Sequence, residues 1–177
     1  MSIRKLFLSL AFSLFALCSF AQGEICREIC GAKFGDSYTN VKNILERKFG
    51  KPNSWDVDKT CITYRGISYG GIYFSTVLFY FQYSPSGFSY FNRCIMASEN
   101  KTAKEAISKR DYIKSVLAKK YKTTEAVDDD GFKYYHGGTS PQQEDYFGFC
   151  IDVIKLDDGT YAARLDYGPY QYVDEEF

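Results

Sequence analysis

Two stretches of the chain carry apolar residues at spacings of three and four, and after each the period drops to two. In the first, Tyr38, Val41, Ile44, Leu45 and Phe49 form the stripe of a half-buried helix. Asp36 or Ser37 can cap its start. Gly50 suits a left-handed cap at its end, and Pro52 lacks the N–H that would continue the ladder. In the second, Thr102 with Glu105 three residues on makes a capping box, and Ala106, Ile113, Leu117 and Tyr121 mark the apolar side. Alternation after the first helix predicts strands near 60–65, 71–82 and 88–98, with Ser84-Pro85-Ser86-Gly87 as the turn between the last two. After the second helix it predicts strands near 132–136, 147–156 and 160–167, with Asp157-Asp158-Gly159 closing a hairpin.

The two halves read alike. Val41 to Phe49 aligns, 72 positions on, with Ile113 to Tyr121; three of the nine pairs are identical and five more keep size or charge. Tyr64-Arg65-Gly66 falls near Tyr135-His136-Gly137 at an offset of 71. Such a period predicts one supersecondary unit built twice and packed against itself. The expected fold is therefore α+β: two tandem helix-plus-three-strand repeats, over 35–99 and 100–170, with an antiparallel sheet and the helices packed on one face. Residues 22–34 read as a lead-in, either extended or a short helix, and 171–177 as an acidic, frayed tail.

The first 21 residues read as an export signal and not as part of the fold. Arg4 and Lys5 are followed by an apolar run from Leu6 to Leu17, and Ser19-Phe20-Ala21 offers small residues for cleavage before Gln22. The run is shorter than the roughly 18 to 20 residues a spanning helix needs. Leu17 is a poor neighbour for lipidation at Cys18, so periplasmic release or secretion is the preferred reading over a lipid anchor. Lys+Arg and Asp+Glu balance at 22 each, and losing Arg4 and Lys5 with the signal leaves a net of −2. That balance gives no electrostatic footprint for nucleic acid.

Candidate chemistry is sparse. His136 is the single histidine, so a nucleophile–base pair would have to bring Cys61, Cys94 or Cys150 to it in space. Cys26 and Cys30 offer two thiolates, but no second pair at ligand spacing follows, and no metal site is expected. Asp128-Asp129-Asp130-Gly131 lacks the first and twelfth ligands of a calcium loop and reads as a solvated turn. No phosphate-binding glycine loop opens a helix, so neither a cofactor nor a catalytic residue is assigned. Cys26, Cys30, Cys61, Cys94 and Cys150 are an odd number for an exported chain, leaving the bridges open. Cys61 and Cys94 sit on strands separated by a third, roughly 9–10 Å apart, which disfavours bridging them.

Aromatic residues carry more information: 28 of the 156 residues after the signal are Phe, Trp or Tyr, and they crowd the sheet of the first repeat. Between Gly71 and Gln82, strict alternation puts Ile72, Phe74, Leu78 and Tyr80 on one face and Tyr73, Val77, Phe79 and Phe81 on the other. Either the strand is covered on both faces, or one face is an aromatic surface for a partner. Trp55, Tyr73, Tyr80 and Tyr90 are the candidate binding residues on the second reading.

Gly35-x-Ser37-x-x-x-Val41 followed by Phe49-Gly50-x-Pro52 resembles the opening helix of BamE-like outer-membrane assembly lipoproteins. A tandem pair of helix-plus-sheet units is also similar to the β-lactamase-inhibitor-protein fold. The resemblance implies an envelope or secreted binding module and leaves the partner open. The functional expectation is thus a non-catalytic module that binds an envelope or secreted protein. The alternatives are a small hydrolase using His136 and a small-ligand carrier.

Overall fold

The computed structural model describes residues 25–129, 131–140 and 147–171. The signal segment with Cys18, and the acidic tail beyond Gln171, lie outside the described residues. Helix α1 spans Tyr38–Phe49 and α2 spans Ala103–Leu117. Ser37, and not Asp36, caps α1 by accepting the Asn40 N–H at 3.3 Å, and Gly50 closes it at φ +81 with its N–H bonded to the Glu46 carbonyl. The capping box of α2 forms between Thr102 and Glu105. Tyr121 lies beyond the end of α2, whereas its counterpart Phe49 is the last residue of α1.

The strands are β1 (Glu28–Ile29), β2 (Ala32–Lys33), β3 (Ser54–Trp55), β4 (Cys61–Tyr69), β5 (Ile72–Tyr83), β6 (Ser89–Asn100), β7 (Thr123–Val127), β8 (Lys133–Thr139), β9 (Phe147–Lys155) and β10 (Tyr161–Tyr167). Apart from the β1–β2 hairpin, all belong to one eight-stranded antiparallel sheet of order β3-β4-β5-β6-β10-β9-β8-β7. This corrects the expected fold class, because the molecule is not two tandem helix-plus-three-strand repeats. A further strand follows each helix and forms an outer edge, and β6 pairs with β10 along its length to make a single sheet over a single core. The edge strands escape the periodicity for physical reasons. β3 has only two residues, and β7 pairs on one side only, so neither needs the apolar alternation that burial imposes.

Both helices and the lead-in cover the same sheet face. Tyr38 of α1 meets Phe81 edge-on at 4.9 Å between centroids, and Phe49 meets Tyr64 at 5.7 Å. On α2, Arg110 lies over the Tyr135 ring of β8. From Ile25 on, the lead-in is extended. It bridges Ile25 to Thr139, forms the β1–β2 hairpin with Cys30 (φ +58) and Gly31 at its turn, and stacks Phe34 on Phe91 at 4.9 Å. Beneath these elements lie Ile62, Tyr64, Phe74, Val77, Phe79, Phe91, Met96, Phe149 and Ile151, each at most 1% exposed.

Strict alternation fails in the middle of the β4–β5 hairpin. Inward residues are Ile62, Tyr64, Ile67 and Tyr69 on β4, and Ile72, Phe74, Val77, Phe79 and Phe81 on β5. Parity switches between Tyr64 and Ile67 and, directly across, between Phe74 and Val77, while the pairing register stays continuous. Gly66 at φ +65 supplies a backbone conformation that a β-branched residue resists. Opposite the kink, the Ser75 hydroxyl donates to the Ala97 carbonyl (3.0 Å) and accepts the Glu99 N–H (2.9 Å), replacing a rung of the β5–β6 ladder. Both ends of the hairpin thereby turn their apolar side chains to the helices.

Candidate binding face

Neither helix covers the other face of the sheet. Register places its side chains in rows across the strands. One row runs Thr63, Leu78, Ile95, Asp166, Cys150, His136, Thr124, and the next runs Thr76, Ala97, Arg164, Asp152. Tyr80 stands between Cys61 and Arg93 in the row before these. Leu78, Tyr80, Arg93 and Ile95 are half-buried and accessible.

Two ion pairs lie side by side on this face. Arg93 Nε donates to Asp166 Oδ1 at 2.8 Å while its Nη2 donates to Oδ2. Arg164 Nε donates to Asp152 Oδ1 at 3.0 Å, with Nη2 on Oδ2. Both are two-pronged guanidinium–carboxylate contacts, the geometry that fixes orientation as well as charge. In each pair the hydrogen-bonded carboxylate is the largest influence on the guanidinium, raising its pKa further. The aspartate is the more enclosed partner in the first pair, where the Asp166 side chain is 10% exposed against 38% for Arg93. Beside Arg93, an open groove of about 590 Å³ is lined by Tyr80, Gln82, Asn92, Ile95, Pro169 and Gln171.

The four aromatic candidates separate. The kink at Gly66 and Ser75 brings Tyr73 and Tyr80 onto the same, open face, where unbroken alternation had put them on opposite ones. Tyr73 is 54% exposed and lies against Gly66, its hydroxyl 3.4 Å from where a Cβ would stand. Trp55 pairs with Ile62, an inward residue, so it stands at the sheet edge on the helix side, with Lys42 Nζ 5.3 Å from its ring centroid. Tyr90 is only 4% exposed: its hydroxyl donates to Gln82 Oε1 at 3.1 Å and its ring packs edge-on against Tyr170. Tyr90 is therefore a packing residue and not a surface one.

His136 and Cys150 stand directly opposite each other in the β8–β9 register. Their protonation runs against a nucleophile–base pair. Burial pushes the Cys150 thiol up from 9.0 to about 11, and burial lowers the His136 pKa. A thiolate–imidazolium pair needs the opposite shifts. Burial also raises Cys30 to about 12 and carries Cys94 well above its ordinary value. No disulfide joins the five cysteines among the described residues. Cys61 and Cys94 sit on opposite faces, Cys61 beside Tyr80 and Cys94 beside Phe79, which separates them further than their strand spacing. No group of His, Cys, Asp and Glu suited to a metal ion is found among the described residues. Of the acidic run, Asp130 lies outside the described residues; Asp128 Oδ1 accepts the Phe132 N–H at 2.7 Å and the Asp128 carbonyl accepts the Gly131 N–H at 3.0 Å.

The chain matches no protein-family model, no curated protein and no solved structure. Its geometry alone therefore carries the functional reading. No helix among the described residues is long and apolar enough to cross a membrane. The charged members of the open face, Arg93, Asp152, Arg164 and Asp166, were not among the sequence candidates. The signal for them was the i, i+2 spacing of Arg164 and Asp166, which puts two charges on one face of a strand whose other face is apolar.

Proposed function

We propose that this chain is an exported, non-catalytic module that binds a protein of the envelope or secreted space through the open face of its sheet. The observation that carries the reading is the side of the sheet that the helices leave uncovered, bearing Tyr73 and Tyr80 together with Leu78, Ile95 and Arg93. Tyrosine and arginine bring large contact area with polar tips and suit the centre of such a contact. Export enters on the basic start, apolar run and small-residue site of residues 1–21. The hydrolase alternative loses weight because His136 and Cys150, though in register, are shifted away from reactivity. The test is a cross-linked capture from envelope and culture-medium fractions with wild type and Tyr73→Ser/Tyr80→Ser. A protein held by wild type and lost with the folded double variant supports the reading. Equal capture by both overturns it.

A further inference from the structure

Charge is divided unequally between the helix layer and the rest of the molecule. The lead-in and both helices, residues 25–51 and 101–122, hold 14 Lys and Arg against 5 Asp and Glu, a net of +9. The rest of the chain after the signal holds 6 against 17, a net of −11. Carboxylates inside the layer are engaged locally. Asp36 accepts the Lys33 N–H at 3.2 Å, Glu46 stands 3.7 Å from Lys42, Glu105 accepts the Thr102 N–H at 3.0 Å, and Asp111 holds Arg110. Lys51, Lys101, Lys104, Lys119 and Lys122 are exposed. A chain close to neutral as a whole thus presents one basic side, and its field turns that side toward an anionic partner.

The residue types select the partner. Eleven of the 14 basic residues are lysines. Lysine is a hydrated point charge on a flexible stem and is depleted at protein interfaces, where the planar fork of arginine is enriched. A diffuse layer of lipid phosphates needs no fork, and clustered lysines suit it. Apolar and aromatic side chains stand among these charges. Ile107 and Tyr112 of α2 are exposed, with Lys109 Nζ 5.7 Å from the Tyr112 ring centroid. Trp55 is exposed at the sheet edge on the same side, beside Lys42. Tyrosine and tryptophan sit at headgroup depth in a bilayer, and lysine stems lie along apolar surface with their charge in water. We infer that the helix layer lies on a bilayer rich in anionic phospholipid, with the open sheet face turned away from it and accessible to a protein. This second surface does not depend on the protein-binding role proposed above.

Vesicle flotation and titration test it. The chain from Gln22 on contains every described element and leaves out the apolar run from Leu6 to Leu17, so the fold alone is measured. It is expected to float with phosphatidylcholine vesicles carrying about one-third phosphatidylglycerol, and not with phosphatidylcholine alone. Raising salt from about 0.05 to 0.5 M, where screening shortens to roughly 4 Å, should release it. Trp55 is the single tryptophan, and its emission is expected to shift to the blue on the anionic vesicles. Lys104→Gln, Lys119→Gln and Lys122→Gln are each expected to weaken binding about fivefold, and the three together about 100-fold, with unchanged circular dichroism. Arg65, paired with Thr76, stands on the open face, and Arg65→Gln should change binding less than about twofold. Ile107→Ser with Tyr112→Ser should cost about tenfold, because apolar contact adds to charge at a bilayer. Equal binding to neutral and anionic vesicles, no binding even at the lower salt, or a triple lysine variant that binds as wild type overturns the inference. Capture by polyglutamate or duplex DNA without capture by vesicles overturns it in favour of an acidic polymer. Tyr73→Ser/Tyr80→Ser is expected to bind vesicles as wild type does, so the loss of either role leaves the other standing.

Discussion

The sulfur of Cys26 lies 2.5 Å from the point where a Cβ would stand on Gly148, and equally close to the corresponding point on Gly138. The lead-in is held at that point by the Cys26 N–H donating to the Thr139 carbonyl at 2.9 Å, and the side chain fills a slot that only glycines leave open. Gly148→Ala would also meet Cys26 Cβ at 2.7 Å and the Thr139 carbonyl at 3.1 Å. Overpacking of this kind costs about 1–3 kcal/mol. Urea denaturation should therefore show Gly148→Ala destabilised by about 2 kcal/mol. Cys26→Gly in the same chain should recover part of that loss. Independent, additive effects of the two changes would show that the slot is not what couples lead-in to sheet.

Protonation of the thiols gives a second expectation. At pH 8 a thiol raised from 9.0 to about 11, as Cys150 is by burial, carries about 100-fold less thiolate than an ordinary one. Iodoacetamide should accordingly modify Cys150 at least about tenfold more slowly in the folded protein than in urea. The linkage follows in sign. The folded state keeps protons on Cys150 and on Cys30 (about 12) that the unfolded chain releases above its ordinary 9.0. Their contribution to stability is complete below pH 9 and is lost as pH rises through 11 to 12. His136 acts on the acid side: its lowered pKa keeps it neutral in the fold, so its contribution is complete above 6.5 and falls as pH drops below that value. Cys150→Ala should flatten the alkaline limb of the urea midpoint against pH, and His136→Gln the acid limb. Unchanged limbs in both variants would remove the account.

Both helices, their caps and the six long strands could be read from the chain because each satisfies a strong local rule: the Ser37 and Thr102 caps, the turns at Gly87 and Gly159, and apolar residues at every second position over most of each strand. What could not be read was set by pairing. β3 and β7 are edge strands with no periodic signature, and only the ladder between β6 and β10 makes one sheet of the two halves. For the site, the sequence supplied Tyr73 and Tyr80 as candidates, but strict alternation separated them. The hydrogen bonds of Ser75, a tertiary feature, help bring them to one face. Tyr90 carried the same aromatic signal as Tyr80, and its burial depends on Tyr170, 80 residues further on.

Arg110 is a charged residue built into the structure, 7% exposed on the buried side of α2. Its Nη1 donates to the Lys133 carbonyl at 2.7 Å, its Nε and Nη2 reach Asp111 Oδ1 at 2.9 and 2.8 Å, and its guanidinium stands 5.2 Å from the Tyr135 ring centroid. Truncation removes packing, a cation–π contact and the donor to β8 together. Arg110→Ala is expected to cost about 2–4 kcal/mol in urea denaturation. Arg110→Lys keeps the charge but cannot fork, and should fall between, at about 1–2 kcal/mol. Asp111→Asn, at an exposed carboxylate, should cost less than about 1 kcal/mol. An Arg110→Ala chain as stable as wild type would mean that the helix docks on its apolar stripe alone.

The tyrosines of the first half offer the sharpest contrast, because four similar side chains are held in different ways. Tyr73 is 54% exposed with its hydroxyl against Gly66, and Tyr80 stands half-buried on the uncovered face, its phenol pushed up from the ordinary value by burial first and then by the neighbouring Cys61. Tyr64 lies 1% exposed under α1 with its hydroxyl on the Gly50 carbonyl at 3.0 Å, and Tyr90 is enclosed by Tyr170 with its hydroxyl on Gln82. Substituting serine should therefore order the four by burial and not by residue type. Tyr73→Ser and Tyr80→Ser should each stay within about 1 kcal/mol of wild type, while Tyr90→Ser and Tyr64→Ser should lose about 3–5 kcal/mol. Thermal melts of the four chains decide it. If Tyr80→Ser melts with Tyr64→Ser, the face bearing Tyr80 is core rather than surface, and the binding role goes with it.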